Sequence, residues 1–351
     1  MIPLLIASCS AHSGKTFMTL GLGLNLKAIG YRIGYVKPLG KTPTKKGDIV
    51  VDQDALLMKE SLGLSEPLSV ISPFVFDYLT QSALLEGSVG NVQGRVIEAL
   101  KAFGEKTIVL ITAGQDLCEG TALNISAFDL IDALNARVLL VEAWRGPLSI
   151  DAVLAASKMT KGRLIGCVLT KVPDNLLQDV REKVKPYLEK KGLKIFGIFP
   201  HDKVLESVTV RRIVETLNGG VLCAEDRLDE FVERFLVGAM DADTALSYFM
   251  MTPNKAVITG THRPDIQLVA LETSTKCIVL TGGMEPNDFI VTKARQKGIP
   301  LIVATGDTFS VAKRLEALMG RTEIREKTKI AHANNLFLKE FDLDRFLENF
   351  S

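Results

Sequence analysis

The stretch "SCSAHSGKT", Ser8–Thr16, decides how this chain is read. It matches the phosphate-binding loop G-x-x-x-x-G-K-[ST] at Gly14, Lys15 and Thr16, but Cys9 stands where the first glycine belongs. The apolar run "LLIAS" (4–8) before it reads as a buried strand, and a helical pattern over Lys15–Ile29 follows it. In that context backbone N–H groups at the helix start point at phosphate oxygens. His12, Ser13 and Gly14 then line the loop, Lys15 neutralises β- and γ-phosphate charge, and Thr16 offers its hydroxyl to Mg2+. The bland alternative is a strand–glycine–helix junction with an incidental lysine. Cys9 lowers the specificity of the match without abolishing it, because only some loop shapes need that first glycine.

Outward from the loop, short apolar runs alternate with amphipathic segments as far as Ile198. Strands are expected at 4–8, 32–38, 107–112, 137–143, 163–170 and 194–200, with helices at Lys15–Ile29, Val51–Leu62, Val89–Phe103, Ala122–Leu134, Ile150–Met159 and Leu176–Lys191. Near-continuous apolar strands separated by helices predict a doubly wound parallel sheet, the α/β class. From about Val204 the texture turns to amphipathic helix with a break at Gly219-Gly220, and strands resume at 255–260, 277–283 and 300–306. A second, smaller α/β domain is expected there.

The totals narrow the function class. With 351 residues, 47% hydrophobic and 24% charged, the chain is globular, and a net charge of +1 offers no general attraction to nucleic acid or anionic lipid. The five cysteines, Cys9, Cys118, Cys167, Cys223 and Cys277, form no C-x-x-C pair and fit a reducing, cytoplasmic setting. The opening "IPLLIAS" reads as a strand rather than a signal peptide, and no apolar run reaches membrane-spanning length.

The run "SCSAHSGKTFMTLGLGLNLKAIGYRIGYVKPLG" resembles the opening of dethiobiotin synthetase and of the BioD-like region at the N-terminus of many bacterial phosphate acetyltransferases. Lys37-Pro38 matches that family's Lys-Pro strand end, "QDALLM" places Asp54 at its metal carboxylate, and "GIFPHDKVLESV" resembles its G-x-I-P-x-D exit. The likeness covers residues 1–205. "VITGTHRPDIQLVAL", "LTGG" (280–283) and "GDT" (306–308) resemble the DRTGG domain, so 206–351 is expected to hold a helical connector and a DRTGG-like domain. With the chain ending at Ser351, no acetyltransferase domain is expected.

Several positions depart from the family. The strand that ends "VLVEG" in dethiobiotin synthetase, with Glu on the metal, here reads "IVLITAG", placing Thr112 at the carboxylate. Asp116 and Glu119 substitute only if their loop folds back, and otherwise are solvated charges. Thr170 stands where the family commonly has a base-reading Asn, Ala11 lacks a loop hydroxyl, and Lys41 replaces a small hydroxyl residue. Lys37 is either a ligand contact at the strand edge or a rim lysine paired with Asp52 or Asp54. His201, His262 and His332 carry no metal spacing and read as structural. Arg263, Asp265, Gly282, Gly283 and Gly306–Thr308 form either a small-ligand rim or a salt-bridged turn with strand-ending glycines.

The resemblance therefore implies an ATP-binding regulatory or accessory protein. Lys15 and Lys37 are its candidate catalytic groups; His12, Ser13, Gly14, Lys15, Thr16 and Thr170 hold nucleotide; Thr16 and Asp54 hold a weak or altered Mg2+ site. The alternative is an ATP-dependent carboxylase or amide ligase of the dethiobiotin synthetase or cobyrinic acid a,c-diamide synthase type. A third reading is a structural dimeriser with a fossil loop. Expected partners are a nucleotide, a small molecule at the DRTGG domain and a second copy as a homodimer, with neither nucleic acid nor membrane.

Overall fold

The computed structural model describes residues 1–46, 49–104, 108–318, 324 and 326–350. The chain forms two compact units, Met1–His201 joined by Ile324–Ser351, and Asp202–Glu323.

Among its described residues the first unit has eight strands: β1 (Ile2–Ala7), β2 (Ile33–Val36), β3 (Pro43–Lys46), β4 (Ile49–Asp52), β5 (Ile108–Thr112), β6 (Arg137–Ala143), β7 (Leu164–Val172) and β8 (Ile195–Pro200). Six of them make a parallel sheet in the order β2-β5-β1-β6-β7-β8, while β3 and β4 pair as a hairpin. Leu5, Ala7, Val109, Ile111, Val138 and Leu140 pack beneath helices on one face. The other face is covered by α1 (Lys15–Ala28), α2 (Gln53–Leu62) and the late helix Lys327–Glu340. Both faces are buried, which is why the strands read as apolar runs rather than alternating ones. Register aligns Ile6 with Thr112 and Ala7 with Leu140, so the carboxyl ends of the central strands share one edge.

Two expectations change here. The helix expected from Val51 starts at Gln53, because β4 carries the chain through Asp52 and the Asp52 side chain then caps the helix. The segment 324–351, expected in the second domain, belongs to the first. Phe337 stacks on Phe341 at 4.5 Å, and Phe346 meets Phe196 edge-on at 5.5 Å. The Asp342 N–H donates to Phe196 O at 2.7 Å. Gly21 of α1 makes room for this return: a Cβ there would lie 2.3 Å from the Phe337 ring. A mid-helix glycine costs about 1 kcal/mol relative to alanine, a cost offset by the close approach. Thr107, the expected first residue of β5, lies outside the described residues.

The second unit contains β9 (Val208–Thr209), β10 (Gly220–Cys223), β11 (Phe231–Val232), β12 (Arg234–Val237), β13 (Lys255–Gly260), β14 (Thr275–Thr281) and β15 (Leu301–Ala304). Its main sheet runs β10-β15-β14-β13-β12, parallel except for β10 at the edge. Helices 242–251, 264–271 and 288–297 cover one face, and helices 210–217 and 308–316 the other. The stretch expected to be mostly helix thus also supplies β9–β12, strands of two to four residues that are too short to show a period.

Candidate phosphate-binding site

The loop between β1 and α1 turns through His12, at φ 56°, and Gly14, at φ 90°. Gly14 adopts the left-handed conformation that favours glycine, and the helix begins at Lys15 with the Met18 N–H donating to Gly14 O at 2.9 Å. Gly14 at the N-cap has no side chain to cap α1, so among the described residues no side-chain cap occupies the helix start at the sheet edge.

Residues of β6, β7 and the turn after β6 hold the loop along its length. The Glu142 carboxylate, 3% exposed, accepts the Cys9 N–H at 2.9 Å and the Ser10 hydroxyl at 2.7 Å. Arg145 Nη2 donates to Ala11 O at 3.0 Å, and the Thr170 hydroxyl donates to Ser13 O at 2.7 Å. Lys15 Nζ donates to Ser8 Oγ at 2.5 Å and to Gln115 O at 2.8 Å. Burial brings the Lys15 pKa down to about 8, against the opposing field of Glu142. Burial and Glu142 together push the Cys9 thiol up to about 12, so it is protonated and unreactive at neutral pH.

On the other side of α1, Lys37 at the end of β2 lies 3.1 Å from Asp52 Oδ1 and is also bonded to Asp54 Oδ2. Burial opposes its charge, but Asp54 and Asp52 outweigh it and hold the ammonium above its usual range. Asp52 is fully buried and accepts from the backbone of Lys41, Thr42, Asp54 and Ala55 and from the Thr42 hydroxyl. Burial pushes its pKa up, but Lys37 and these donors more than compensate and keep it lowered. Of the two readings of Lys37, the ion pair is present, and it involves both carboxylates at once.

Thr16 Oγ1 donates to Asp54 Oδ2 at 3.3 Å. One hydroxyl beside one carboxylate suits Mg2+, which commonly keeps waters and takes phosphate oxygens for its remaining positions. Among the described residues, no group of three or more His, Cys, Asp or Glu is arranged around a metal.

The other positions singled out in the sequence fall as follows. Thr112 is buried, and its hydroxyl lies 3.2 Å from that of Thr19, which also donates to Lys15 O. Asp116 accepts from the N–H groups of Cys118 and Glu119, while Glu119 accepts the Gln115 N–H at 2.6 Å and pairs with Lys41. Glu119 is therefore a paired group rather than a solvated one. Thr170, expected at the base, lies beneath the loop, 3% exposed, with its hydroxyl directed at the Ser13 carbonyl. His12 is exposed, and the Ser13 hydroxyl is buried without a hydrogen-bond partner among the described residues. Glu142, Arg145 and Gln115 escaped the sequence reading. The signal for Glu142 was available: an acid near the end of an apolar strand, at the edge where the loop sits.

In the second unit Arg263 pairs with Asp265 at 2.7 Å and donates to Met240 O, which favours the salt-bridged turn over the ligand rim. Thr281 and Thr308 hydroxyls meet at 2.8 Å, and the Gly282 N–H donates to Gly306 O at 3.0 Å.

A doubly wound parallel sheet whose first strand runs into a G-K-T helix start defines the P-loop nucleotide-binding class. The AAA domain family matches residues 3–209, more than half of the chain, and the chain belongs to that family; the DRTGG domain matches residues 212–318. A phosphate acetyltransferase of Synechocystis sp. is 25% identical over 98% of this chain and 51% of its own length. The ATP-dependent dethiobiotin synthetase BioD of Caldicellulosiruptor bescii is 31% identical over 20% of this chain and 30% of its own. The MinD cell division protein of Aquifex aeolicus is 17% identical, covering 58% of this chain and 84% of its own, with a TM-score of 0.36. The chain spans about half the length of the phosphate acetyltransferases it matches most fully. Among the described residues no helix is long and apolar enough to cross a membrane.

Proposed function

We propose that the chain is an ATP-binding regulatory or accessory module whose nucleotide site binds better than it turns over. The observation that carries this reading is the contrast between the loop and Thr112. The loop is assembled and held by Glu142, Arg145 and Thr170, whereas Thr112 presents a neutral hydroxyl that lies 3.2 Å from that of Thr19. A neutral hydroxyl cannot neutralise Mg2+ as the family's carboxylate does, and losing that charge costs turnover more than binding. Lys15, Gly14, Ser13, His12 and Thr16 contact the phosphates in this reading, and Asp54 with Thr16 holds the metal. Thr170 acts through Ser13 rather than on a base. The DRTGG unit takes a small molecule and pairs two copies into a homodimer. The similarity to half of several phosphate acetyltransferases makes such an enzyme the first partner to test.

The second reading, an ATP-dependent carboxylase or amide ligase, is favoured by Lys37. A buried ammonium at a strand edge beside two carboxylates can receive a substrate carboxylate if Asp54 moves to metal. Calorimetric titration of ATP, GTP and ADP with and without Mg2+, with phosphate release measured in the same samples, tests both. Binding with hydrolysis near background is expected. Sustained substrate-dependent ADP formation replaces the regulatory reading with the ligase, and absence of binding ends both.

A further inference from the structure

The geometry points to Glu142 as a built-in anion of the phosphate loop, which makes the site take up nucleotide as its Mg2+ complex and resist free polyphosphate. The proposal rests on the nucleotide reading above. A phosphate site ordinarily presents a surplus of N–H donors and cations. Here a carboxylate already lies against the first half of the loop, on Cys9 N–H and Ser10 Oγ, and at 3% exposure little water screens it. The neighbouring cations are largely committed. Lys37 is matched by Asp52 and Asp54 and Lys41 by Glu119, while Arg145 keeps its charge and gives Nη2 to the Ala11 carbonyl. Lys15 and Arg145 are left to answer both the field of Glu142 and an incoming phosphate. Fully ionised ATP therefore meets a loop of suitable shape but poor charge. A divalent cation arriving with the nucleotide restores the balance, and Thr16 and Asp54 are placed to touch it.

Shape and charge separate cleanly at this residue. In Glu142→Gln the amide oxygen can still accept the Cys9 N–H, and the Ser10 hydroxyl can rotate to accept from the new NH2 group, so the clamp survives while the charge goes. Glu142→Ala removes both.

The test is calorimetric titration of ATP into the full chain with excess MgCl2 or with EDTA. Wild type is expected to bind about tenfold more tightly with Mg2+. Glu142→Gln gains about tenfold in EDTA and changes little with Mg2+, closing the gap. Glu142→Ala loses affinity in both buffers alike. A Gln variant that weakens equally in both buffers, or keeps the wild-type gap, overturns the proposal while leaving the nucleotide reading intact. No binding by any variant in either buffer ends both. Wild type alone gives a second measurement: in EDTA, ADP, with less charge, binds more tightly than ATP, and the reverse order overturns the proposal.

Discussion

Lys37 and Lys255 are both buried, one in each unit, and their surroundings are opposite. Lys37 sits at the carboxyl edge of its sheet between Asp52 and Asp54. Lys255, 0% exposed at the start of β13, donates to Ser274 O at 3.0 Å and lies 5.5 Å from the centre of the Phe249 ring, with no carboxylate within ion-pair distance among the described residues. The Lys37 ammonium is held above its ordinary pKa, whereas burial brings Lys255 down to about 8. Burial of an amine is thus a matched charge in the P-loop unit and an unmatched one in the DRTGG unit. Removing a partner should be costly in the first, and removing the lysine itself favourable in the second.

The largest effect is expected from Asp52→Ala. It removes one partner of a buried ion pair, the cap of α2 and the anchor of the turn at Lys41–Thr42, so the P-loop unit should lose about 3–5 kcal/mol. Denaturant unfolding followed by Trp144, the only tryptophan and part of this unit, measures it. Asp54→Ala should cost clearly less, since that side chain is 33% exposed. Equal losses would mean that Lys37 is not held by the pair. The pH signs also differ. Asp52 has a lowered folded pKa, so its contribution is present above about pH 4 and lost as pH falls through the folded value. Lys37 has a raised one, so its contribution holds to about pH 10.4 and is lost above.

Lys15 is an intermediate case: half-buried, with pKa near 8 and a hydroxyl and a carbonyl as its hydrogen-bond partners. Lys15→Ala removes a charge-assisted phosphate contact of about 1.5–3 kcal/mol and should abolish most ATP affinity while leaving the Trp144 unfolding curve almost unchanged. Unaltered affinity would show that phosphate does not bind at this loop.

Lys255→Met should stabilise the DRTGG unit by about 1–3 kcal/mol, because it removes a buried charge without an ionic partner. Amide exchange in β13 and β14, corrected for intrinsic rates, is the direct measure. In wild type the folded pKa near 8 lies below the unfolded value of about 10.4, so Lys255's own contribution to stability rises with pH across that window, against the opposite contribution of Cys223 and Cys277, whose thiols burial pushes up. Over the same window Lys37 contributes no slope to its own unit. The same pH profile for β13 in wild type and Lys255→Met would show that Lys255 is solvated.

The strands of the first sheet were legible because burial on both faces makes each one a continuous apolar run, and "SGKT" marked the edge at which they end. The return of 324–350 was not, since it depends on Phe337, Phe341 and Phe346 meeting Phe196 and Phe199 across more than a hundred residues of chain. Glu142 was hidden for a different reason. "VLLVEA" reads as core strand, and nothing local says that its acid faces a loop more than 130 residues earlier. Lys37 and Asp54 were found by resemblance, but the buried Asp52 between them, named only as a possible partner, proves to be the residue on which the turn, the helix cap and the ion pair converge.

The smallest effect belongs to Thr170, and it tests whether the loop's shape is separable from its charge. Thr170→Val keeps the β-branched volume beside Gly14, where an added Cβ would lie 3.6–3.9 Å from the Thr170 side chain, and deletes the bond to Ser13 O together with a longer one of 3.4 Å to Glu142 O. Loss of a neutral hydrogen bond costs about 0.5–1.5 kcal/mol, and since the freed carbonyl belongs to the loop the cost should appear as up to about tenfold weaker ATP binding. ATP and GTP should weaken by the same factor, because the Thr170 hydroxyl bonds a carbonyl of the loop. A selective loss of one nucleotide would instead return Thr170 to the base-reading role that the family resemblance implies for its position. Thr170→Asn sharpens the test further: a larger amide beneath Ser13 should crowd the loop and weaken both nucleotides, whereas improved purine discrimination would show that the side chain reaches the base after all.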